Sequence, residues 1–291
     1  MSFPSTRYRT ANIDGLDVFY REAGDRSNPT LLLLHGFPSS SHMFRNLINS
    51  LSDSFHLVAP DHIGFGRSSM PSVNQFTYSF DRLTEVTERL IAHLDLDRFA
   101  IYIHDYGAPI GLRIASSSPE RITAIITQSG NAYTEGFTPF WDILFAHAKD
   151  RAAHEDAVRQ YLTADKTHWQ YTHGVPADRL NRIAPEAWLL DQAGLDRNGN
   201  DAIQLQLFWD YQFNLDSYPK FQEYFRTHQP PLLVAWGKND EIFGAAGAEA
   251  YRRDLPGGEF HLLDTGHFAL ETHGEEISVY IREFMRQLPG S

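Results

Sequence analysis

The chain has 291 residues, 42% of them hydrophobic, 13% aromatic and 21% charged, and it contains no cysteine. Disulfide scaffolds, thiolate metal sites, iron–sulfur clusters and cysteine nucleophiles are excluded, because each needs a sulfur that is absent. Lys and Arg total 25 against 37 Asp and Glu, and the formal charge of -12 repels nucleic acid phosphates and anionic membranes, with no basic run to offset it. The first ten residues hold no apolar stretch, and the aliphatic run Leu31–Leu34 is far short of a membrane span. The expectation is a cytoplasmic protein, monomeric or homodimeric, with neither nucleic acid nor membrane as partner. The length suits one α/β domain carrying a large insertion.

Residues 7–13 and 16–23 alternate as strands, and Asp14-Gly15 between them is a strong hairpin signal. Leu31–Leu34 is apolar on both faces, as a central parallel strand covered by helices must be. Phe55–Ala59, Phe99–His104 and Ile122–Thr127 read as further buried strands, with helical stretches over 42–52, 77–95 and 107–116. Pro231–Trp236 and Glu259–Leu263 complete the set, with helices over 245–254 and 275–287. This alternation predicts a mostly parallel eight-stranded sheet with helices on both faces. Residues 130–228 break the rhythm. They lack convincing strands yet hold 17 of the 38 aromatic residues, including Trp141, Trp169, Trp188 and Trp209. Such a helical insertion needs an apolar core of its own, and it is also placed to close an aromatic pocket over the strand ends. The expected division is a core of 1–129 and 229–291 with an inserted helical cap of 130–228.

Ile103-His104-Asp105-Tyr106-Gly107 falls where a strand ends and a helix begins at once, the setting of a strained turn that lifts one side chain above a sheet. Gly107 and Gly111 would let the new helix lie close on the strand. An aspartate in this place can be a nucleophile or simply an N-cap for the helix. Downstream, Asp240 and His267 each follow a strand end on the same edge, which supplies an acid and a base in the order nucleophile, acid, histidine. Glu241 is a rival to Asp240, and His35, His62 and His104 lack such partners and read as structural. His35-Gly36-Phe37-Pro38 follows the central strand, where the amides of Phe37 and Tyr106 could converge on an oxyanion and Pro38 could be cis. Asp61 to Ser68 contains Gly-x-Gly without the Lys-Ser/Thr of a phosphate loop and reads as a structural turn. Asp196 to Asp201 starts like a calcium loop but has Asp201 at the required glycine and Leu207 at the closing glutamate, so no metal and no cofactor is expected.

His-Gly-Phe-Pro, Asp-x-x-Gly-x-Gly-x-Ser, His-Asp-Tyr-Gly and the late Asp240/His267 pair resemble capped α/β-hydrolases with an aspartate nucleophile, and the resemblance covers nearly the whole chain. Three branches of that superfamily use the aspartate: epoxide hydrolases, haloalkane dehalogenases and haloacetate dehalogenases. Haloalkane dehalogenases usually place a halide-holding tryptophan after the nucleophile, where this chain has Tyr106, and Phe37 offers no second side-chain donor. Haloacetate dehalogenases carry arginines one and four residues after the nucleophile, where Tyr106 and Pro109 stand here. Epoxide hydrolases commonly share His-Gly-Phe-Pro and hold the epoxide oxygen with two cap tyrosines. Asp210-Tyr211 resembles the site of one of these and also a similar pair in haloacetate dehalogenases. The chain departs from the epoxide hydrolase pattern at Tyr106 and Ile103, and the first cap tyrosine is not at its usual place.

The resemblance implies an epoxide hydrolase acting on a small apolar substrate and water, with a haloalkane or haloacid dehalogenase as the alternative. An esterase or a silent ligand-binding relative are further readings. An aspartate attacking an acyl carbon would give an anhydride, whereas attack on an epoxide carbon gives an ester that water can cleave. The implied site is Asp105 as nucleophile, His267 with Asp240 as base and orienting acid, and Tyr211 as donor to the departing oxygen. The Phe37 and Tyr106 amides form the oxyanion hole, and Trp141, Trp169, Tyr161 and Tyr171 are candidate pocket residues, the two tyrosines also candidates for the second phenol.

Overall fold

A computed structural model describes residues 6–288. Eight strands form one sheet: β1 (Arg7–Ile13), β2 (Leu16–Ala23), β3 (Thr30–Leu34), β4 (His56–Pro60), β5 (Phe99–His104), β6 (Ile122–Gln128), β7 (Leu232–Gly237) and β8 (Glu259–Leu263). Their spatial order is β1-β2-β4-β3-β5-β6-β7-β8. β1 and β2 pair antiparallel through the Asp14-Gly15 turn, where both residues have positive φ as this two-residue turn requires. β2 also meets β4 antiparallel, and every later pairing is parallel. Each strand expected from the sequence is present, shifted by no more than a residue or two at its ends.

The helices are α1 (Arg45–Leu51), α2 (Phe80–His93), α3 (Gly107–Ser117), α4 (Asp142–Lys149), α5 (Arg151–Arg159), α6 (Ala164–Thr172), α7 (Pro185–Leu195), α8 (Asn200–Asp210), α9 (Asn214–His228), α10 (Ala245–Ala250) and α11 (Ala269–Arg286). Two differ instructively from expectation. α2 begins three residues late because Ser79 is extended and caps the helix, its hydroxyl accepting from the Arg82 N–H. α11 begins at Ala269, ahead of the expected 275, and breaks at His273 (φ -129°, ψ 20°), so the periodic pattern marks only the stretch beyond the kink. Among the described residues no helix is long and apolar enough to cross a membrane.

Parallel β3 to β7 are buried along their length, and Leu31 to Leu34 are wholly inaccessible. Each such aliphatic side chain contributes about 2 kcal/mol of transfer free energy to the core. The face of Leu32, Leu34, Ile101 and Ile103 packs with α2, α3 and residues between β6 and β7, and that of Leu31, Leu33, Ala100 and Tyr102 with α1 and α11. The parallel strands all end at one edge. Loops leaving β3, β5, β6, β7 and β8 therefore meet there, in the crevice where open α/β sheets assemble sites.

The segment from β6 to β7 contains α4 to α9 and no named strand. Polar side chains tie it to the loops at that edge: Asp210 accepts the Phe80 N–H at 2.8 Å, Asn200 donates to the Gly64 carbonyl at 2.8 Å, and Arg197 donates to the Gly64 and Gly66 carbonyls. α9, its last helix, packs against α3.

Candidate active site

Asp105 occupies the abrupt link between β5 and α3 with φ 49°, a left-handed conformation that is strained for any residue with a Cβ. The helix can follow at once only because it has no side chain at its start. A Cβ on Gly107 would lie 2.1 Å from the Leu34 carbonyl oxygen, and one on Gly111 would lie 2.6 Å from Ile103 Cγ2. The Asp105 carboxylate does not serve as the helix cap, since the cap position is Tyr106 and carries no side-chain bond. Its Oδ1 instead accepts two amides, Phe37 N–H at 2.8 Å and Tyr106 N–H at 2.6 Å. The first comes from the loop after β3, whose Phe37–Pro38 bond is cis. That loop can come so near only through Gly36, where a Cβ would sit 2.3 Å from Asp105 Oδ1.

The second oxygen of Asp105, Oδ2, faces His267 Nε2 at 3.9 Å. His267 Nδ1 is 2.9 Å from Asp240 Oδ2, which fixes the neutral ring with its proton on Nδ1 and its lone pair on Nε2. Asp240 is itself fixed: Oδ1 accepts the Ile242 and Phe243 amides at 2.8 and 3.2 Å, and Oδ2 also accepts the Ser129 hydroxyl at 2.7 Å. Glu241 takes no part, being exposed and paired with His173 at 3.0 Å. Asp105, Asp240 and His267 are each about 5% exposed or less, so the trio is shut off from bulk water.

Burial governs the charges. It pushes the Asp105 carboxyl up to about 6, with the His267 charge and the two amides pulling the other way. For His267, burial opposes the imidazolium, but the charge and hydrogen bond of Asp240, with the Asp105 charge, hold it above its ordinary value of 6.5. The arrangement is a carboxylate with one oxygen clamped by amides and the other free, beside an imidazole whose Nε2 has no hydrogen-bond partner.

Aromatic rings cluster around Tyr106, the residue after Asp105, and around Tyr211. Tyr106 has Phe80 at 4.9 Å and Phe37 and Tyr211 at 6.0 Å, measured between ring centroids. Tyr211, which follows α8 directly, has Trp141 at 4.3 Å, and Trp141 has Phe243 at 5.0 Å, itself 6.4 Å from His267. The Tyr106 and Tyr211 hydroxyls are buried without a hydrogen bond of proper geometry, Tyr211 having Tyr218 as its polar neighbour. Burial pushes both phenols well above their usual value, helped by the Asp105 charge at Tyr106 and by Tyr218 and then Asp105 at Tyr211, so both stay protonated.

Not every expected pocket residue is in this cluster. The Trp141 indole N–H donates to the Ile242 carbonyl at 2.7 Å, so only its ring face is offered. Tyr161 stands one layer out, with its ring 6.3 Å from Phe208 and its hydroxyl bonded to the Phe140 carbonyl at 2.9 Å. Trp169 stacks on Phe140, itself 6.3 Å from Trp141, and carries the Lys166 ammonium 3.5 Å above its ring. Tyr171 is corrected too: its ring stacks on Phe268 at 3.9 Å, and its hydroxyl donates to Asp191. Helical spacing does not say which face of an inserted helix turns toward a sheet edge, and Tyr171 packs in the other cluster, with Phe268 and residues of α11.

A family model described as the alpha/beta hydrolase fold matches residues 29–274. This chain belongs to the α/β-hydrolase family. The uncharacterized hydrolase YNR064C of Saccharomyces cerevisiae is 48% identical over 265 residues, covering 89% of this chain and 90% of its own. A haloalkane dehalogenase of Mycolicibacterium paratuberculosis is 37% identical over 295 residues, covering 94% and 89%. Among solved structures, epoxide hydrolase VrEH1 from Vigna radiata superposes with a TM-score of 0.76 at 20% identity, covering 97% of this chain and 98% of that one. A mutant of haloalkane dehalogenase DatA from Agrobacterium tumefaciens gives 0.78 at 21%, covering 97% of each. The 37% identical relative is a haloalkane dehalogenase, and the epoxide hydrolase and dehalogenase structures share the fold of this hydrolase.

Around the trio of this hydrolase stand residues that no motif signalled. Gln128 at the end of β6 donates to the His267 carbonyl at 2.9 Å and accepts the Tyr102 hydroxyl. His104, expected to be purely structural, lies 4.6 Å from the His267 ring. Burial holds His104 well below its ordinary value, and the nearby His267 charge adds to this, so it is neutral. His35 and His62 do brace structure, the His62 N–H donating to His35 Nε2 at 3.0 Å. The Asp61 turn is structural as expected, its carboxylate accepting the Ser41 and Arg67 amides at 2.7 Å each. Among the described residues no group of three or more His, Asp or Glu is arranged to hold a metal ion.

Proposed function

We propose that this hydrolase opens an apolar epoxide to a diol through a covalent ester on Asp105. Oδ2 attacks an epoxide carbon, the carbon–oxygen bond breaks, and the departing oxygen takes a proton from Tyr211 with Tyr106 as second donor. His267 Nε2 then takes a proton from water, whose oxygen adds to Asp105 Cγ while Oδ1 becomes an oxyanion on the Phe37 and Tyr106 amides. Collapse breaks the Cγ–Oδ2 bond, His267 protonates the leaving oxygen to complete the diol, and the new carboxylic acid returns its proton to the phenolate. Each amide of such a hole is worth about 3 kcal/mol in the transition state. Esterification removes the Asp105 charge, one of the influences holding His267 high, so the imidazole becomes a freer base at the step that needs it. Residues 130–228 serve as the cap that closes over the bound substrate.

One observation carries the choice of substrate: two buried, protonated phenols, Tyr106 unpartnered and Tyr211 with only Tyr218 as its polar neighbour, stand near the carboxylate, while the N–H of the neighbouring Trp141 is already engaged. Phenols suit an oxygen that leaves as an alkoxide and needs a proton, whereas a departing halide needs hydrogen-bond donors but no proton. Arg113, the arginine of α3, is turned onto Asp81 and the Pro109 carbonyl, so it forms no clamp for a haloacid carboxylate. The 37% identical haloalkane dehalogenase favours halide displacement as the second reading, which shares the ester and its hydrolysis. A panel of terminal epoxides and of chloro- and bromoalkanes, scored for diol and for free halide, separates them. Diol without halide is expected; halide with every epoxide intact would select the second reading.

A further inference from the structure

We infer that Ser129 is a positioning residue for the Asp240–His267 pair and sets the protonation range of the imidazole. Ser129 follows β6 directly, is wholly buried, and has φ 53°, a left-handed conformation disfavoured for serine and adopted freely by glycine. Its hydroxyl donates at 2.7 Å to Asp240 Oδ2, the same oxygen that receives His267 Nδ1–H at 2.9 Å. Strain held in place by the surrounding structure at such a point is an observation that asks for a function. A glycine would relieve the strain and lose the hydrogen bond, so the bond is what the strained backbone secures.

The two donors on Oδ2 divide that oxygen's lone pairs. With the hydroxyl in place, the carboxylate is partly satisfied and pulls less on the imidazolium. Without it, the bond to His267 strengthens and the imidazolium is favoured. The charged groups facing His267 are Asp240 and Asp105, and the neutral His104 lies against its ring, so Ser129 acts through the first of them. Gln128, the preceding residue, holds the His267 backbone carbonyl, so consecutive residues at the end of β6 fix the imidazole from its main chain and from its acid. The inference rests on His267 being the base of the proposed reaction, but it makes a claim about titration that needs no substrate.

The test is the imidazole titration of His267 by NMR on protein labelled in histidine, with its signal assigned by its loss in His267→Gln. Ser129→Ala and Ser129→Gly are each expected to raise the His267 midpoint by about half a unit to one unit, the size of one ordinary net hydrogen bond, since the hydroxyl acts on the imidazole only through Asp240. Ser129→Gly should do so without the loss of thermal stability that Ser129→Ala shows, because only the first relieves the backbone. In turnover the acid limb of the pH profile should move up by the same amount in both. An unmoved midpoint in the correctly folded glycine variant would overturn the inference. If the wild type converts no epoxide and no haloalkane, the functional reading fails while the NMR midpoints still decide the role of Ser129.

Discussion

The strand-end site and the helical segment between β6 and β7 hold their side chains in opposite ways. At the strand ends, Asp105, Ser129, Asp240 and His267 sit in turns one residue beyond a strand or a few residues on, and backbone amides or a neighbouring strand end fix each of them. In the helical segment the aromatic side chains are held mainly by one another, and several of their polar atoms bond their own surroundings, as with Trp141, Tyr161 and Tyr171. Tyr211 is the exception, since its hydroxyl is buried near Asp105 with only Tyr218 as its polar neighbour. In the proposed reaction, chemistry is thus anchored at the strand ends, and the helical layer contributes shape and a phenol.

This contrast breaks most sharply at Asp105. Asp105→Asn should lower turnover by about 10⁴-fold or more, measured on whichever substrate the panel identifies. The same change should stabilise the protein. Because burial raises the Asp105 carboxyl from 3.8 to about 6, ionising it costs folded-state stability, a penalty absent below pH 4, growing between pH 4 and 6, and complete at neutrality. Asp105→Asn should therefore unfold later at pH 7, by on the order of 3 kcal/mol, with the gain vanishing near pH 4. No gain at pH 7 would mean that the carboxylate is better solvated than its burial implies.

His267→Gln should still form the ester but fail to hydrolyse it, with turnover down by about 10³-fold. Intact-protein mass spectrometry should then show the enzyme heavier by one substrate, located on the Asp105 peptide. Tyr211→Phe probes the point where the helical layer reaches the site. It should slow epoxide opening by about 10²-fold and leave hydrolysis of a preformed ester nearly unchanged, as read by pre-steady-state quench. Tyr161→Phe and Tyr171→Phe should change turnover by less than about threefold, because their hydroxyls bond the protein itself. A large loss at either would erase the distinction between the two regions.

The same contrast explains what is legible in the sequence. A parallel strand buried on both faces is written as an apolar run, and the abrupt turn after it shows as glycines around one polar residue, so Asp105, Asp240, His267 and the Phe37 loop can be read locally. Ser129 and Gln128 carry no such mark. Their importance comes from β6 lying next to β7, a neighbour relation that appears only when the sheet is assembled. Tyr171 misleads because aromatic residues at helical spacing look alike whether they face a site or a private core. The second phenol is hidden differently: Tyr106 stands inside a motif whose backbone amide already accounts for it.

The covalent ester on Asp105 is the central claim, and a single turnover in oxygen-18 water tests it most directly, with enzyme in excess over epoxide and the products and Asp105 peptide weighed separately. Label in the Asp105 carboxylate with an unlabelled diol is the expected result, because water attacks Cγ and Oδ2 leaves with the product. Label in the diol with none in Asp105 would mean that water attacks the substrate itself, and would contradict the account.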